Sequence, residues 1–225
     1  MLVVVQNDPE VPPGLIMGIL HQKRIPFRLI RLFSEECFDG LEGLRGVIVL
    51  GGTMSVRDIA EFPFLQHLKE QIKEVVRKGI PYLGICLGGQ LLAEVLGGRV
   101  DLQKHGELGY HHVTLTEHGE HDPLFAGVPK HFLSFQWHSD SFEPPPGTLH
   151  LARSDHCPYQ AFRWARTAYG TQFHPEVTKK IVEDWSKDLC EERRELLHVF
   201  PDQEAECRLL SMAILNNFLG VAGML

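Results

Sequence analysis

Two short apolar runs constrain what this chain can fold into. Gly46-Val47-Ile48-Val49-Leu50 and Pro81-Tyr82-Leu83-Gly84-Ile85 carry no charge, the pattern of strands buried on both faces of a parallel sheet. Between them Leu65, Leu68, Ile72, Val75 and Val76 recur at helical spacing through about Lys78, and Gly79 stands where a helix C-cap would put it. Upstream, Leu2–Gln6 reads as a strand, Pro12-Pro13-Gly14 as a turn, Leu15–Gln22 as a helix and Pro26–Leu32 as a second strand. Downstream, Leu87–Leu96 reads as a helix stopped by Gly97-Gly98. Strand and helix in alternation predict an α/β fold: an open, mostly parallel sheet with right-handed crossovers and helices on both faces.

The rhythm changes after Arg99. Through Gln172 the pattern is short strands broken by Gly/Pro clusters such as Glu143-Pro144-Pro145-Pro146-Gly147, which predicts antiparallel strands added to the sheet. Helical patterns follow at about Val177–His198 and Ala205–Leu219; within the first, Glu191-Glu192-Arg193-Arg194-Glu195 reads as a solvated face. No repeat or linker separates two cores, so residues 1–225 are expected to form one domain.

Charge excludes some functions. Lys plus Arg number 22 against 29 for Asp plus Glu, a formal charge of −7, whereas a nucleic-acid binder needs a basic footprint. No apolar run reaches the roughly 18–20 residues that span a bilayer. Leu2–Val5 lacks a basic flank and reads as a strand rather than a signal peptide. Cys37, Cys86, Cys157, Cys190 and Cys207 are odd in number and contain no Cys-x-x-Cys pair, which argues for a reducing compartment, and so for the cytoplasm.

The chemistry concentrates at Gly84-Ile85-Cys86-Leu87-Gly88-Gly89-Gln90, where a buried strand turns into a helix. Open α/β sheets place their ligands at the carboxyl ends of strands. Gly84 and Gly88 give the Gly-x-Cys-x-Gly form, the thiol counterpart of a Gly-x-Ser-x-Gly nucleophile elbow. The helix that starts at Leu87 presents its positive end to the sulfur and favours the reactive thiolate. A cysteine near a strand end is usually core packing; the flanking glycines count against that here.

Such a nucleophile needs a base and a group to orient it. Thr171-Gln172-Phe173-His174-Pro175-Glu176-Val177 supplies both. Pro175 favours an extended backbone at His174, and residues two apart in an extended chain share a side, about 6–7 Å apart. Glu176 is therefore expected to hold one imidazole nitrogen while the other faces Cys86, the logic of a catalytic triad. For an oxyanion hole, the N–H of Leu87 and one from the Gly51-Gly52 turn are the candidates.

Leu50-Gly51-Gly52-Thr53-Met54-Ser55, the Cys86 segment and Phe173-His174-Pro175-Glu176 occur in this order. Together they resemble the three signatures of class I, triad-type glutamine amidotransferase domains, especially the glutaminase domain of GMP synthetase and its stand-alone relatives. The resemblance runs from Leu2 to about Val177. It implies a flavodoxin-like domain that hydrolyses the side-chain amide of glutamine through a γ-glutamyl thioester on Cys86. His174 would be the acid and base, Glu176 its orienting carboxylate, and Gly52 and Leu87 the oxyanion donors. Gln90 would help hold the substrate. Phe135-Gln136-Trp137-His138-Ser139-Asp140 resembles the family strand that meets the amino-acid end of the substrate, with Trp137 and Ser139 touching it through main-chain atoms. The chemistry calls for no cofactor and no metal.

Two features depart from the family pattern. Gly89 stands where many relatives carry His or Met. Nothing in the 225 residues resembles a synthetase domain, and neither Gly51-Gly52 nor Gly97-Gly98 is followed by the Gly-Lys-Ser/Thr of a P-loop. Either the ammonia passes to a separate synthetase subunit, or the enzyme is a γ-glutamyl peptidase that cleaves the same carbonyl with a bulkier leaving group. A different class of reading is a non-catalytic metal-binding or partner-binding protein. Its motive is the cluster His111, His112, His118 and His121 with Glu117, Glu120 and Asp122. Adjacent histidines on a strand point to opposite faces, which argues against His111 and His112 sharing an ion.

Overall fold

The alternation inside the apolar runs decides the layers. In β1 (Leu2–Gln6), β3 (Gly46–Val49) and β4 (Tyr82–Ile85), Leu2, Val4, Ile48, Leu83 and Ile85 point to one face and Val3, Val5, Val47, Val49 and Tyr82 to the other. The first set packs on α1 (Leu15–Gln22) through Ile16, Ile19 and Leu20. The second packs on α2 (Phe64–Arg77) and α3 (Leu87–Val95) through Leu65, Leu68, Ile72, Leu91 and Leu92. Each such side chain, fully buried, contributes about 1.5–3 kcal/mol of transfer free energy. The computed structural model describes the backbone of residues 1–225 and every side chain except those of residues 190, 192, 194 and 196–202.

The remaining elements are β2 (Phe27–Arg31), β5 (Arg99–Asp101), β6 (Glu107–Leu115), α4 (Glu117–Glu120), β7 (His131–His138), β8 (Ser141–Glu143), β9 (Leu149–Arg153), β10 (Ala161–Trp164), β11 (Ala168–Thr171), α5 (Lys179–Trp185) and α6 (Cys190–Val221). One nine-stranded sheet runs β2-β1-β3-β4-β11-β10-β9-β6-β7, and β5 pairs with β8 beside it. From β2 to β11 every pairing is parallel; from β11 to β7 every pairing is antiparallel. The α/β architecture with antiparallel strands added in the second half is thus the one the sequence predicts.

One pairing brings the two motif-bearing segments together. β11 lies parallel to β4 with Thr171 opposite Ile85, and the N–H of Cys86 donates to the carbonyl of Thr171 at 2.8 Å. Segments far apart in the chain thereby end side by side, at the carboxyl edge of the sheet.

The C-terminal helices differ from the sequence reading. A helix over 177–198 is expected, but α5 starts after Thr178, whose hydroxyl accepts from Ile181 N–H, and stops at Trp185. The N–H and the hydroxyl of Ser186 both bond back to the Val182 carbonyl at this end. α6 then continues to Val221 with no break before Ala205, and Ile214, Leu215, Phe218 and Leu219 bury one of its faces in the α1-side core. Burial of that stripe outweighs local polarity in setting the helix length. Of the charge run 191–195, Glu192 and Arg194 lie outside the described side chains. Among the described residues no helix is long and apolar enough to cross a membrane.

Candidate active site

Cys86 sits at the junction of β4 and α3 with φ +49° and ψ −108°, a backbone conformation that a non-glycine residue adopts only when its surroundings enforce it. The enforcement comes from close packing. A Cβ on Gly84 would lie 2.3 Å from the carbonyl group of Gly88, and one on Gly88 would lie 2.2 Å from the Val49 carbonyl oxygen. The turn is therefore as tight as the Gly-x-Cys-x-Gly pattern implies.

His174 and Glu176 come to the same place. His174 Nδ1 is 2.7 Å from Glu176 Oε1, and the two side chains are 3 % and 0 % exposed. Pro175 and Glu176 form a turn, so the pair meets across that turn and not along a continuous extended strand. Glu176 is fixed from the other side because its carbonyl accepts from the Leu15 N–H that opens α1. His174 Nε2 has no hydrogen-bond partner among the described residues. Burial works against a charged ring, but Glu176, and then Cys86, more than offset it and raise His174 to about 10. A buried carboxylate that holds one nitrogen fixes the tautomer and stabilises the imidazolium.

Around these residues lies a cavity of about 670 Å³, lined by Cys86, His174, Gly52, Gln90, Trp137 and Ser139 among others. The Leu87 side chain does not line it, but its N–H begins α3 beside Cys86. Among the described residues the N–H groups of Gly52 and Leu87 bond to no protein acceptor, the state an oxyanion donor requires. Gln90 lines the cavity with its Nε2 donating to the Asp140 carbonyl at 3.1 Å, so one end of the amide holds a loop.

Two residues escaped the sequence reading. Gln172 Nε2 lies 3.6 Å from Cys86 Sγ, a contact created by the β4–β11 pairing and by nothing in the local spacing. Trp185 packs edge-on to His174 and also contacts Trp137 and Phe135. Its signal in the sequence was only a lone aromatic in a polar stretch.

The histidine cluster does not assemble into a metal centre. His112, His118 and His121 are exposed, and His121 Nδ1 sits 2.9 Å from the Glu117 carbonyl within the α4 turn. Among the described residues, donor atoms of Glu107, His138 and Cys157 converge within 4.8 Å. There Ser154, Gln160 and His138 already occupy the carboxylate oxygens, which accounts for the cluster as a hydrogen-bond network.

Known proteins share this fold and much of this sequence. The family model described as glutamine amidotransferase class-I matches residues 25–184. A GMP synthase (glutamine-hydrolyzing) of Thermosipho melanesiensis is 38 % identical over 146 residues, covering 62 % of this chain and 26 % of that protein. A GMP synthase (glutamine-hydrolyzing) subunit of Methanopyrus kandleri is 36 % identical over 141 residues, 62 % of this chain and 70 % of that one. The chain thus spans about a quarter of the Thermosipho protein. The crystal structure of a glutamine amidotransferase from Thermotoga maritima superposes with a TM-score of 0.87 at 30 % identity, covering 97 % of each chain. With the family model matched over most of its length and the fold shared from end to end, the chain belongs to the class-I glutamine amidotransferase family.

Proposed function

We propose that this protein hydrolyses a γ-glutamyl amide, converting glutamine to glutamate and ammonia through a thioester on Cys86. The observation that carries the reading is a cysteine held at positive φ on a strand-to-helix turn, lining one cavity with a buried histidine whose Nδ1 is 2.7 Å from a buried carboxylate.

In this reading Cys86 Sγ attacks the side-chain carbonyl carbon, and its proton resides on His174. The oxygen takes the negative charge and meets the N–H groups of Gly52 and Leu87. His174 gives its proton to the amide nitrogen, the C–N bond breaks, and ammonia leaves a γ-glutamyl thioester. The same imidazole then takes a proton from water, whose oxygen attacks the thioester. Collapse releases glutamate and returns the thiol. Glu176 keeps the ring oriented throughout. Gln90, Trp137 and Ser139 would hold the amino-acid end. Residues 1–225 would act as one amidotransferase domain, a reading supported by the single nine-stranded sheet. The ammonia would go to a separate synthetase subunit. The Methanopyrus relative, itself named as one subunit of a GMP synthase, encourages that reading.

A γ-glutamyl peptidase is the second reading. It is favoured by the cavity of about 670 Å³, a size that accommodates a drug-sized ligand and not just one amino acid. Product release from glutamine and from a panel of γ-glutamyl peptides, with Cys86→Ser as control, tests both. Cys86-dependent ammonia from glutamine supports the amidotransferase; Cys86-dependent cleavage of peptides alone supports the peptidase. If neither substrate is cleaved, with or without a synthetase partner, the proposal falls.

A further inference from the structure

The β6–β7 register sets Glu107 opposite His138, and both side chains are 1 % exposed. A carboxylate so enclosed is costly unless its charge is met and its lone pairs are filled. His138 Nε2 lies 3.2 Å from Oε2, Ser154 Oγ donates to Oε1 at 2.6 Å, and Gln160 Nε2 donates to Oε2. His111 Nδ1 stands 3.6 Å from Oε1. Burial pushes Glu107 up, but His138 and Ser154 lead a set of partners that together hold it below its ordinary value. The carboxylate is therefore ionised.

His138 faces a second acceptor. Its Nδ1 lies 3.0 Å from the Asp140 carbonyl oxygen. The ring therefore bridges the Asp140 carbonyl and the Glu107 carboxylate, one nitrogen towards each. The same Asp140 carbonyl receives Gln90 Nε2, from the α3 turn that follows Cys86. The Gln103 N–H donates to Asp140 Oδ1 at 2.9 Å. A continuous chain of bonds thus runs from the nucleophile helix through Gln90, Asp140 and His138 to Glu107, and Trp137, His138, Ser139 and Asp140 all line the Cys86 cavity.

We propose that Glu107 is a positioning residue for substrate: through His138 it fixes the Asp140 carbonyl and sets the main chain of residues 137–140 against the nucleophile helix, where the amino-acid end of a γ-glutamyl substrate is held. The inference rests on the γ-glutamyl reading above. Glu107 never touches substrate. Its loss should therefore weaken recognition of the amino-acid end and leave the nucleophile itself intact.

Two alkylating agents separate these effects. Iodoacetamide needs only a reactive Cys86, whereas a glutamine analogue bearing a diazomethyl ketone in place of its amide also needs the amino-acid subsite. In Glu107→Gln, iodoacetamide should label Cys86 within about twofold of wild type, while labelling by the analogue slows about tenfold or more. KM for the cleaved substrate should rise about tenfold, with kcat changed less than about threefold. Glu107→Asp, which keeps the charge, should recover part of the loss, and it carries the test should Glu107→Gln not fold. Parallel slowing by both reagents, or no change in either, overturns the proposal. A wild-type Cys86 that iodoacetamide labels and the analogue does not would remove the γ-glutamyl reading and this proposal with it. Equal labelling of wild type and Glu107→Gln by both reagents removes this proposal alone.

Discussion

The indole of Trp185 stands edge-on to the imidazole of His174, ring centroids 5.2 Å apart and planes at 76°. The same indole contacts Trp137 at 5.6 Å and Phe135 at 6.1 Å, and its Nε1 donates to the Glu10 carbonyl. The end of α5 is thereby tied across to the loop after β1, forming one wall of the cavity. Aromatic pairs of this kind contribute about 0.5–1.5 kcal/mol beyond the area they bury.

Trp185→Ala should open that wall. The expected result is a fall of about 10- to 100-fold in kcat/KM for glutamine, because the His174 ring loses the packing partner that holds its orientation. Peptides with bulky leaving groups should lose less. Trp185→Phe should restore most of the activity. Steady-state kinetics on the three proteins checks this, and equal losses on all substrates would contradict the assignment of Trp185 as a wall.

His174 makes stability depend on pH. Its pKa rises from 6.5 to about 10 on folding, so the native state binds the proton more tightly than the unfolded chain does. The stabilisation is fully present below pH 6.5 and is lost progressively as pH rises towards about 10. Denaturant midpoints measured from pH 6.5 to 10 should therefore fall. In His174→Gln this component of the decline should disappear, so a wild-type slope retained in the variant would refute the attribution.

The elbow glycines should tolerate no side chain. Gly84→Ala and Gly88→Ala place a Cβ against backbone atoms at 2.3 and 2.2 Å, contacts that only a backbone shift relieves. Each should cost about 3 kcal/mol or more and abolish Cys86 labelling. Gly18→Ala is the control. It lies within α1 with nothing inside 4 Å and should add about 0.5–1 kcal/mol through helix propensity. Chemical denaturation measures all three.

Gln172 should matter to the sulfur. Its Nε2 lies 3.6 Å from Cys86 Sγ and points a donor at the sulfur. Gln172→Ala should slow iodoacetamide labelling at neutral pH about 3- to 10-fold, and Gln172→Glu should slow it further because a carboxylate repels the thiolate. Faster labelling of Gln172→Glu than of Gln172→Ala would count against this role.

Much of the fold was legible because its signals are local. β1 and α1 fall on the expected residues, and β3, α2, β4 and α3 fall within one or two of theirs, since alternation, helical spacing and glycine stops act over a few residues. The C-terminal helix was legible over 205–219 but not in its full extent. Its extent depends on burying Ile214, Leu215, Phe218 and Leu219 beneath the sheet, a contact with distant strands. The site divides in the same way. Cys86, His174 and Glu176 were readable from their immediate neighbours, whereas Gln172, Trp185 and Glu107 take on meaning only from the partners that tertiary structure brings to them.

By itself, then, the sequence determined a strand-to-helix turn tight enough to hold Cys86 at positive φ, and a His-Pro-Glu segment able to pair an imidazole with a carboxylate. Both follow from short-range sterics and bond geometry. Only the tertiary structure decided that these two segments meet: β11 pairs with β4 in the register that sets Thr171 beside Ile85. It also decided that Glu107 is buried opposite His138. Register between strands distant in the chain is set by which faces the whole core buries, and no local window of residues contains that information.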